Sequence, residues 1–136
     1  MAFDREICAL TIFAEASDQP AECRRAIAHV IFNRMRLDPV RYGHTAAAVC
    51  LKRYQFSEWN DDAGDNANLI RAASTPITDG VMMDCLAAYS EALEGGADPS
   101  QGATHFYADS IPEPNWAKDA TFTVKLGRVL FYKGVR

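Results

Sequence analysis

The sequence predicts an α+β domain that is predominantly helical and carries a small antiparallel sheet near its C-terminus. From Ile7 to Leu93, apolar residues recur at helical spacing in stretches separated by Pro, Gly and Asp/Asn clusters. After Pro99 the pattern changes: Thr104-His-Phe-Tyr107 and Thr121 to Tyr132 are rich in β-branched and aromatic residues, with Gly127 at a bend. A run of helices followed by a run of strands favours segregated layers over an alternating parallel sheet. A chain of 136 residues reads as one domain, 1–136, that buries roughly two thirds of its unfolded surface.

Asp4 is a good N-cap for a first helix running to Ala16, with Ile7, Leu10, Phe13 and Ala14 as its stripe. Pro20 suits the first turn of a second helix, capped by Asp18 or Gln19, with Ala26, Ile27, Val30, Ile31 and Met35 on one face. The short connection packs the two side by side. Asp38-Pro39 ends the second helix, because the residue before proline avoids helical geometry, and Arg41-Tyr-Gly43 continues as loop. Thr45 opens a short helix over Ala46 to Val49. Asn60 to Asp65 is acidic but lacks the spaced glutamate of an EF-hand loop, so it reads as solvated surface. Two further helices follow, near Asn68 to Ala73 and Thr78 to Leu93, the second stopped by Gly95-Gly96. Ile111-Pro-Glu-Pro-Asn-Trp116 is too proline-rich for regular structure and presents Trp116 from a loop.

The net charge of −4 argues against nucleic acid as a partner. No apolar run approaches the roughly 20 residues of a membrane span, which argues against membrane insertion. Met1-Ala-Phe-Asp-Arg-Glu6 lacks the features of a secretory signal, so the expectation is cytoplasmic synthesis without a signal peptide. Cys8, Cys23, Cys50 and Cys85 form no Cys-x-x-Cys pair and fall on apolar helical positions, as buried free thiols do. A nucleophilic cysteine paired with His29, His44 or His105 is an alternative that spacing leaves open.

One carboxylate stands inside the apolar run Leu10-Thr-Ile-Phe-Ala-Glu15-Ala16. Desolvation there favours the protonated form, which is what a general acid requires; the ordinary alternative is a solvated glutamate at a helix end. Tyr54-Gln-Phe-Ser-Glu-Trp59 mixes aromatic faces with an amide and a hydroxyl, a composition that suits a sugar, although such a segment also serves as a loop anchored by its rings. Glu22, Glu58, Asp61, Asp62 and Asp109 lie in segments that read as exposed.

Taken together, Leu10 to Ala16, Gln55-Phe-Ser57, Gly102-Ala-Thr-His-Phe-Tyr107, Trp116 and Gly127-Arg-Val-Leu-Phe-Tyr132 resemble the cell-wall hydrolase family that includes the spore-cortex-lytic enzymes. The resemblance covers roughly Ile7 to Tyr132. It implies a lysozyme-like domain with the Glu15 helix at its centre and the sheet as one wall of a cleft. The implied partner is the peptidoglycan glycan strand, cleaved between N-acetylmuramic acid (MurNAc) and N-acetylglucosamine (GlcNAc) with no metal or cofactor. Gln55, Phe56 and Ser57 would line the groove, while His105, Tyr107 and Trp116 would border it opposite Glu15. Asn33-Arg34 would fix the loop after its helix.

Because Glu15 alone stands in an apolar block, one acid would serve twice, as in a lytic transglycosylase that forms 1,6-anhydro-MurNAc. The alternatives are a two-carboxylate muramidase, in which Asp109 or Glu58 activates water, and a catalytically silent sugar-binding module. A compact catalytic unit without a signal suits a monomeric phage endolysin that reaches the wall or periplasm with the help of a separate holin.

Overall fold

The computed structural model describes residues 3–52, 55–60 and 66–136. Tyr54 and the acidic stretch 61–65, both weighed above, lie outside the described residues. The helices are α1 (Asp4–Ala16), α2 (Ala21–Leu37), α3 (Pro39–Tyr42), α4 (Ala46–Leu51), α5 (Asn66–Ala73) and α6 (Gly80–Leu93), with 3₁₀ turns at Ser57–Trp59 and Asn115–Ala117. The strands β1 (His105–Ala108), β2 (Thr121–Leu126) and β3 (Val129–Lys133) form an antiparallel sheet in the order β1-β3-β2. This is the α+β arrangement that the change of pattern after Pro99 predicts.

Helix α1 is central and packs against α2, α4, α5 and α6. Its Cys8, Ile12 and Ala16 are fully buried, as are Ile27, Val30 and Ile31 of α2 and Cys85 and Ala92 of α6. Small residues at these contacts, Ala9, Ala26 and Ala88 among them, let the helix axes approach closely.

Several caps differ from the sequence reading. Phe3 occupies the N-cap of α1, and the Asp4 carboxylate instead accepts a hydrogen bond from Ala47 N–H at 3.0 Å, in the first turn of α4. Thr45 caps the same helix from its own chain, accepting from Ala48 N–H at 3.1 Å. Two acceptors thus serve the free N–H groups of one short helix. Pro20 is the N-cap of α2, with no side-chain cap. Arg41-Tyr42, read as loop, belongs to α3: Asp38 accepts from Arg41 N–H at 3.0 Å and Pro39 fills the first helical position. The same Asp-Pro pair that ends one helix starts another.

The β2–β3 hairpin turns at Gly127-Arg128, with Leu126 opposite Val129. Gly127 has φ +56°, and an added Cβ would lie 2.5 Å from Gln19 Oε1 and 2.6 Å from Pro20 Cδ. Arg128 N–H donates to that Gln19 oxygen at 2.9 Å. Gln19, one of the two side chains expected to cap α2, therefore holds the hairpin tip against the α1–α2 turn, just beyond Glu15.

All four cysteines are buried and free. Burial pushes the Cys23 and Cys85 thiols up to about 12 and raises Cys8 as well, with the Cys50 Sγ at 3.8 Å the largest influence on Cys8. A nucleophilic cysteine requires the opposite shift. Among the described residues, no helix is long and apolar enough to cross a membrane.

Candidate active site

Glu15 is half-buried at the end of α1, where the helical body meets the sheet. A cavity of about 300 Å³ is lined by Glu15 with Arg34, Gln55, Ser57, Phe106, Tyr107, Ala108, Ile111 and Val129. A second, of about 270 Å³, is lined by Glu15, Ala108 and Val129 again, now with Gln19, Asn68, Arg71, Asp109 and Arg128 among its other residues. Glu15, Ala108 and Val129 thus line both cavities, which adjoin as one groove with Glu15 on the shared wall.

Arg34 enters from α2 and is 4% exposed. Its Nε donates to the Thr104 carbonyl at 2.6 Å, and its guanidinium stands 4.8 Å from the Phe56 ring centroid and 5.7 Å from that of Tyr42. Burial lowers it to about 10, against the smaller opposing effects of Tyr42 and the Glu15 charge. It is still a cation at neutral pH, fixed beside Glu15. The neighbouring Asn33 donates to Asp98 Oδ2 and the Ala103 carbonyl, each at 2.9 Å. Asn33-Arg34 therefore ties down the segment 98–104 that leads into β1, and Arg34 also packs on Tyr42 in the segment after its own helix.

Glu58 departs most from its sequence reading. It was expected in an exposed segment and is 3% exposed. The 3₁₀ turn Ser57–Trp59 folds onto α1, where Trp59 Nε1 donates to Thr11 Oγ1 at 2.8 Å, one helical turn before Glu15. Within that turn Ser57 is exposed and Glu58 points inward. Burial first, then the Glu15 charge and a hydrogen bond with the Glu15 carboxyl, raise Glu58 well above the ordinary carboxylate range. Burial and a like charge nearby both favour the protonated form of Glu58. Asn60, read as the start of a solvated loop, is buried beside this turn at 8% exposure.

Of the predicted groove residues, Gln55, Ser57 and Tyr107 line the first cavity with Glu15. Phe56, His105 and Trp116 are not among its lining residues. Phe56 is buried beneath the Arg34 guanidinium and faces Phe106 at 6.3 Å between centroids. His105 packs on Trp116 at 5.1 Å, and Trp116 meets Tyr107 edge-on at 5.8 Å. Tyr107 stacks on Tyr132 at 5.7 Å. These rings form a backing for Tyr107 on the edge strand β1. Burial, then the Arg34 and Arg41 charges, lower His105 to about 4, so it is a neutral ring sharing a 2.9 Å hydrogen bond with Thr104 Oγ1.

Sequence reasoning missed the buried state of Glu58, the Arg34 cation and the far half of the groove. In the far half, Asp109 pairs with Lys125 Nζ at 3.1 Å and Arg128 Nε at 3.0 Å, which hold it below the ordinary carboxylate range. Arg71 lies 5.4 Å from the Phe13 ring centroid and donates to Ser17 Oγ at 2.6 Å. Among the described residues, no group of three or more His, Cys, Asp or Glu side chains is placed to hold a metal ion.

The fold is similar to that of two solved catalytic domains. One is from the Bacillus cereus SleB protein, with a TM-score of 0.73 and 20% identity, covering 98% of this chain and 91% of the other. The second is from the germination-specific lytic transglycosylase SleB of Bacillus anthracis, with the same TM-score and identity, covering 98% and 96%. At that identity the likeness establishes the fold alone. No match was found among curated proteins. The family model described as Cell Wall Hydrolase matches residues 18–132. The match begins just after Glu15, so the place of Glu15 in the site rests on the groove geometry. With most of its length matched, including the Gln55–Ser57 and Thr104–Tyr107 blocks that wall the groove, the chain belongs to the cell-wall hydrolase family.

Proposed function

We propose that this protein is a peptidoglycan lytic transglycosylase with Glu15 as its single acid and base. The observation that carries this reading is Glu15 on the wall shared by the two cavities, where a glycan strand lying along the groove would place a glycosidic bond. Glu15 gives its proton to the oxygen leaving MurNAc C1, and the C1–O bond breaks. The resulting carboxylate takes the proton from the 6-hydroxyl of the same MurNAc, whose oxygen closes on C1. The products are a 1,6-anhydro-MurNAc end and a free GlcNAc hydroxyl, and Glu15 is left ionised only between the two transfers. Arg34 is placed to stabilise it during that interval.

The neighbouring carboxylates favour this route over hydrolysis. Two-carboxylate glycosidases hold their acids about 5–5.5 Å or 6.5–9.5 Å apart, leaving room for the sugar or a water. Glu58 is hydrogen-bonded to Glu15, which leaves no such room. Asp109 has both oxygens in ion pairs and is a weak base. The solved relative from Bacillus anthracis carries the name lytic transglycosylase, in accord with this reading. Mass analysis of digested peptidoglycan tests it: muropeptides one water lighter than their reducing counterparts are expected, and reducing MurNAc ends alone would overturn it.

The same reading extends to a setting. The protein acts as a monomer on the wall, as a phage-type endolysin made in the cytoplasm and admitted by a separate holin. Expression in bacteria should then leave cells intact until a hole-forming membrane protein is co-expressed. Lysis without one would refute this.

A further inference from the structure

A third cavity, of about 460 Å³, shares no lining residue with the groove and plays no part in the reaction described above. The last turn of α2 supplies Arg36 and Leu37, the end of β3 supplies Lys133, and Gly102, Thr104 and Gly134 complete most of the wall. Its partition from the groove is thin, because Thr104 of this wall accepts from Arg34 of the groove wall at 2.6 Å.

Arg36 and Lys133 are both exposed, and among the described residues neither forms an ion pair. The Arg36 guanidinium stands 5.6 Å from the Phe32 ring centroid, which holds its stem in place. No carboxylate lines the cavity. Asp98 reaches the wall from behind, but four donors engage its oxygens: Asn33 Nδ2 at 2.9 Å, the Gly102 N–H at 3.0 Å, and the Ser100 N–H and Oγ at 2.8 and 2.7 Å. In a chain of net charge −4, two free cations around one cavity are a local reversal of sign. The space between them is partly apolar. Leu37 is 64% exposed, and a Cβ built at Gly102 meets nothing within 4 Å, while at Gly134 it meets Thr121 Oγ1 at 3.8 Å.

We propose that this cavity is a second substrate site, which takes the terminal D-alanine of a peptidoglycan stem peptide, with its carboxylate between Arg36 and Lys133 and its methyl group against Leu37. This deepens the transglycosylase reading and rests on its substrate, although not on the ring-closing step. Two cations answer a carboxylate with charge-assisted hydrogen bonds. The far half of the groove suits one less, since Arg71 and Arg128 stand there beside Asp18 and Asp109.

The test titrates the N-acetylated stem tetrapeptide L-Ala-γ-D-Glu-L-Lys-D-Ala into isotope-labelled protein and follows the backbone amides by NMR. Saturable shifts should appear at Gly102, Thr104 and Gly134 and not at Gln55 or Ser57. The double variant Arg36→Met, Lys133→Met keeps both aliphatic stems and removes both charges, and it should bind about tenfold more weakly, as should wild type with the peptide's terminal carboxylate amidated. Lys118→Met, an exposed cation outside every cavity described above, should bind as wild type does. On intact walls the double variant should cut severalfold more slowly than wild type, and on glycan strands stripped of their stems by an amidase the two should be equal.

An absence of saturable shifts at the cavity would overturn the proposal, as would unchanged affinity in the folded double variant or for the amidated peptide. Tighter binding of glycerol phosphate than of the peptide would also overturn it, in favour of a phosphate-bearing polymer. So would an equal loss of rate on stem-free strands. Should wall digestion yield reducing ends alone, the transglycosylase reading fails, while the peptide titration, in which no bond is cut, still decides this site.

Discussion

Glu15→Gln keeps size and polarity but cannot donate a proton of comparable acidity. It should abolish wall lysis, by at least the 10²- to 10⁴-fold typical of a lost general acid or base, with folding intact. Residual lysis within tenfold of wild type would sink the assignment.

Glu58 also makes a prediction about stability. Native Glu58 binds a proton that the unfolded chain releases in the ordinary carboxylate range. Above that range folding takes up a proton, so stability falls as pH rises, by about 1.4 kcal/mol per pH unit for one group, until the raised value is passed. Glu58→Gln removes this dependence. Its thermal midpoint should therefore gain on wild type between pH 5 and pH 8, and a constant difference across that window would contradict the buried neutral carboxyl.

At the scale of elements, the β2–β3 hairpin is positioned by the α1–α2 turn rather than by the sheet alone. Gly127→Ala places a Cβ against Gln19 and Pro20 at a left-handed φ. The strained backbone and the overpacking together should cost about 2–4 kcal/mol, or displace the hairpin that carries Val129 and Arg128 into the groove. Chemical denaturation measures the first outcome, and loss of lysis with preserved stability would report the second.

The elements themselves were largely legible in the sequence. Period-3.6 stripes locate α1, α2 and α6 because each buries one continuous face, and β-branched and aromatic runs locate the strands. What sequence could not supply were acceptors used across the fold: Asp4 serves α4, and Gln19 serves the hairpin. Each has the chemistry of a local cap, and only the packing decides which free N–H it meets. Glu58 was misread for the same reason, because its inward orientation comes from Trp59 docking on Thr11, a contact 48 residues away. The candidate site was legible where one block supplies several residues, as in Gln55-Phe-Ser57. It was illegible in the far half of the groove, which collects single residues from α5, the α1–α2 turn and the hairpin.

For the whole molecule, the decisive feature is that the groove extends to both sides of Glu15. The side walled by Gln55, Ser57 and Tyr107 offers an aromatic ring with an amide and a hydroxyl, the contacts a sugar ring and its substituents take. The other side offers Asn68, Arg71 and Arg128 beside the carboxylates of Asp18 and Asp109, polar and charged groups suited to sugar hydroxyls. Binding on one side alone cannot hold the scissile bond over the carboxyl. Contacts remote from the reacting centre raise the chemical rate only when the substrate reaches both sets. MurNAc-GlcNAc disaccharides, which carry the scissile bond with a single sugar on each side, should therefore turn over slowly at any concentration, whereas tetrasaccharides and longer strands should be cut faster, with kcat rather than KM carrying most of the difference. Asn68→Ala combined with Arg71→Ala should narrow the gap by slowing the long substrates selectively. Product analysis on purified glycans of defined length measures this, and equal kcat values for the MurNAc-GlcNAc disaccharide and the tetrasaccharide would show that the outer contacts of the groove do not contribute to the chemical rate.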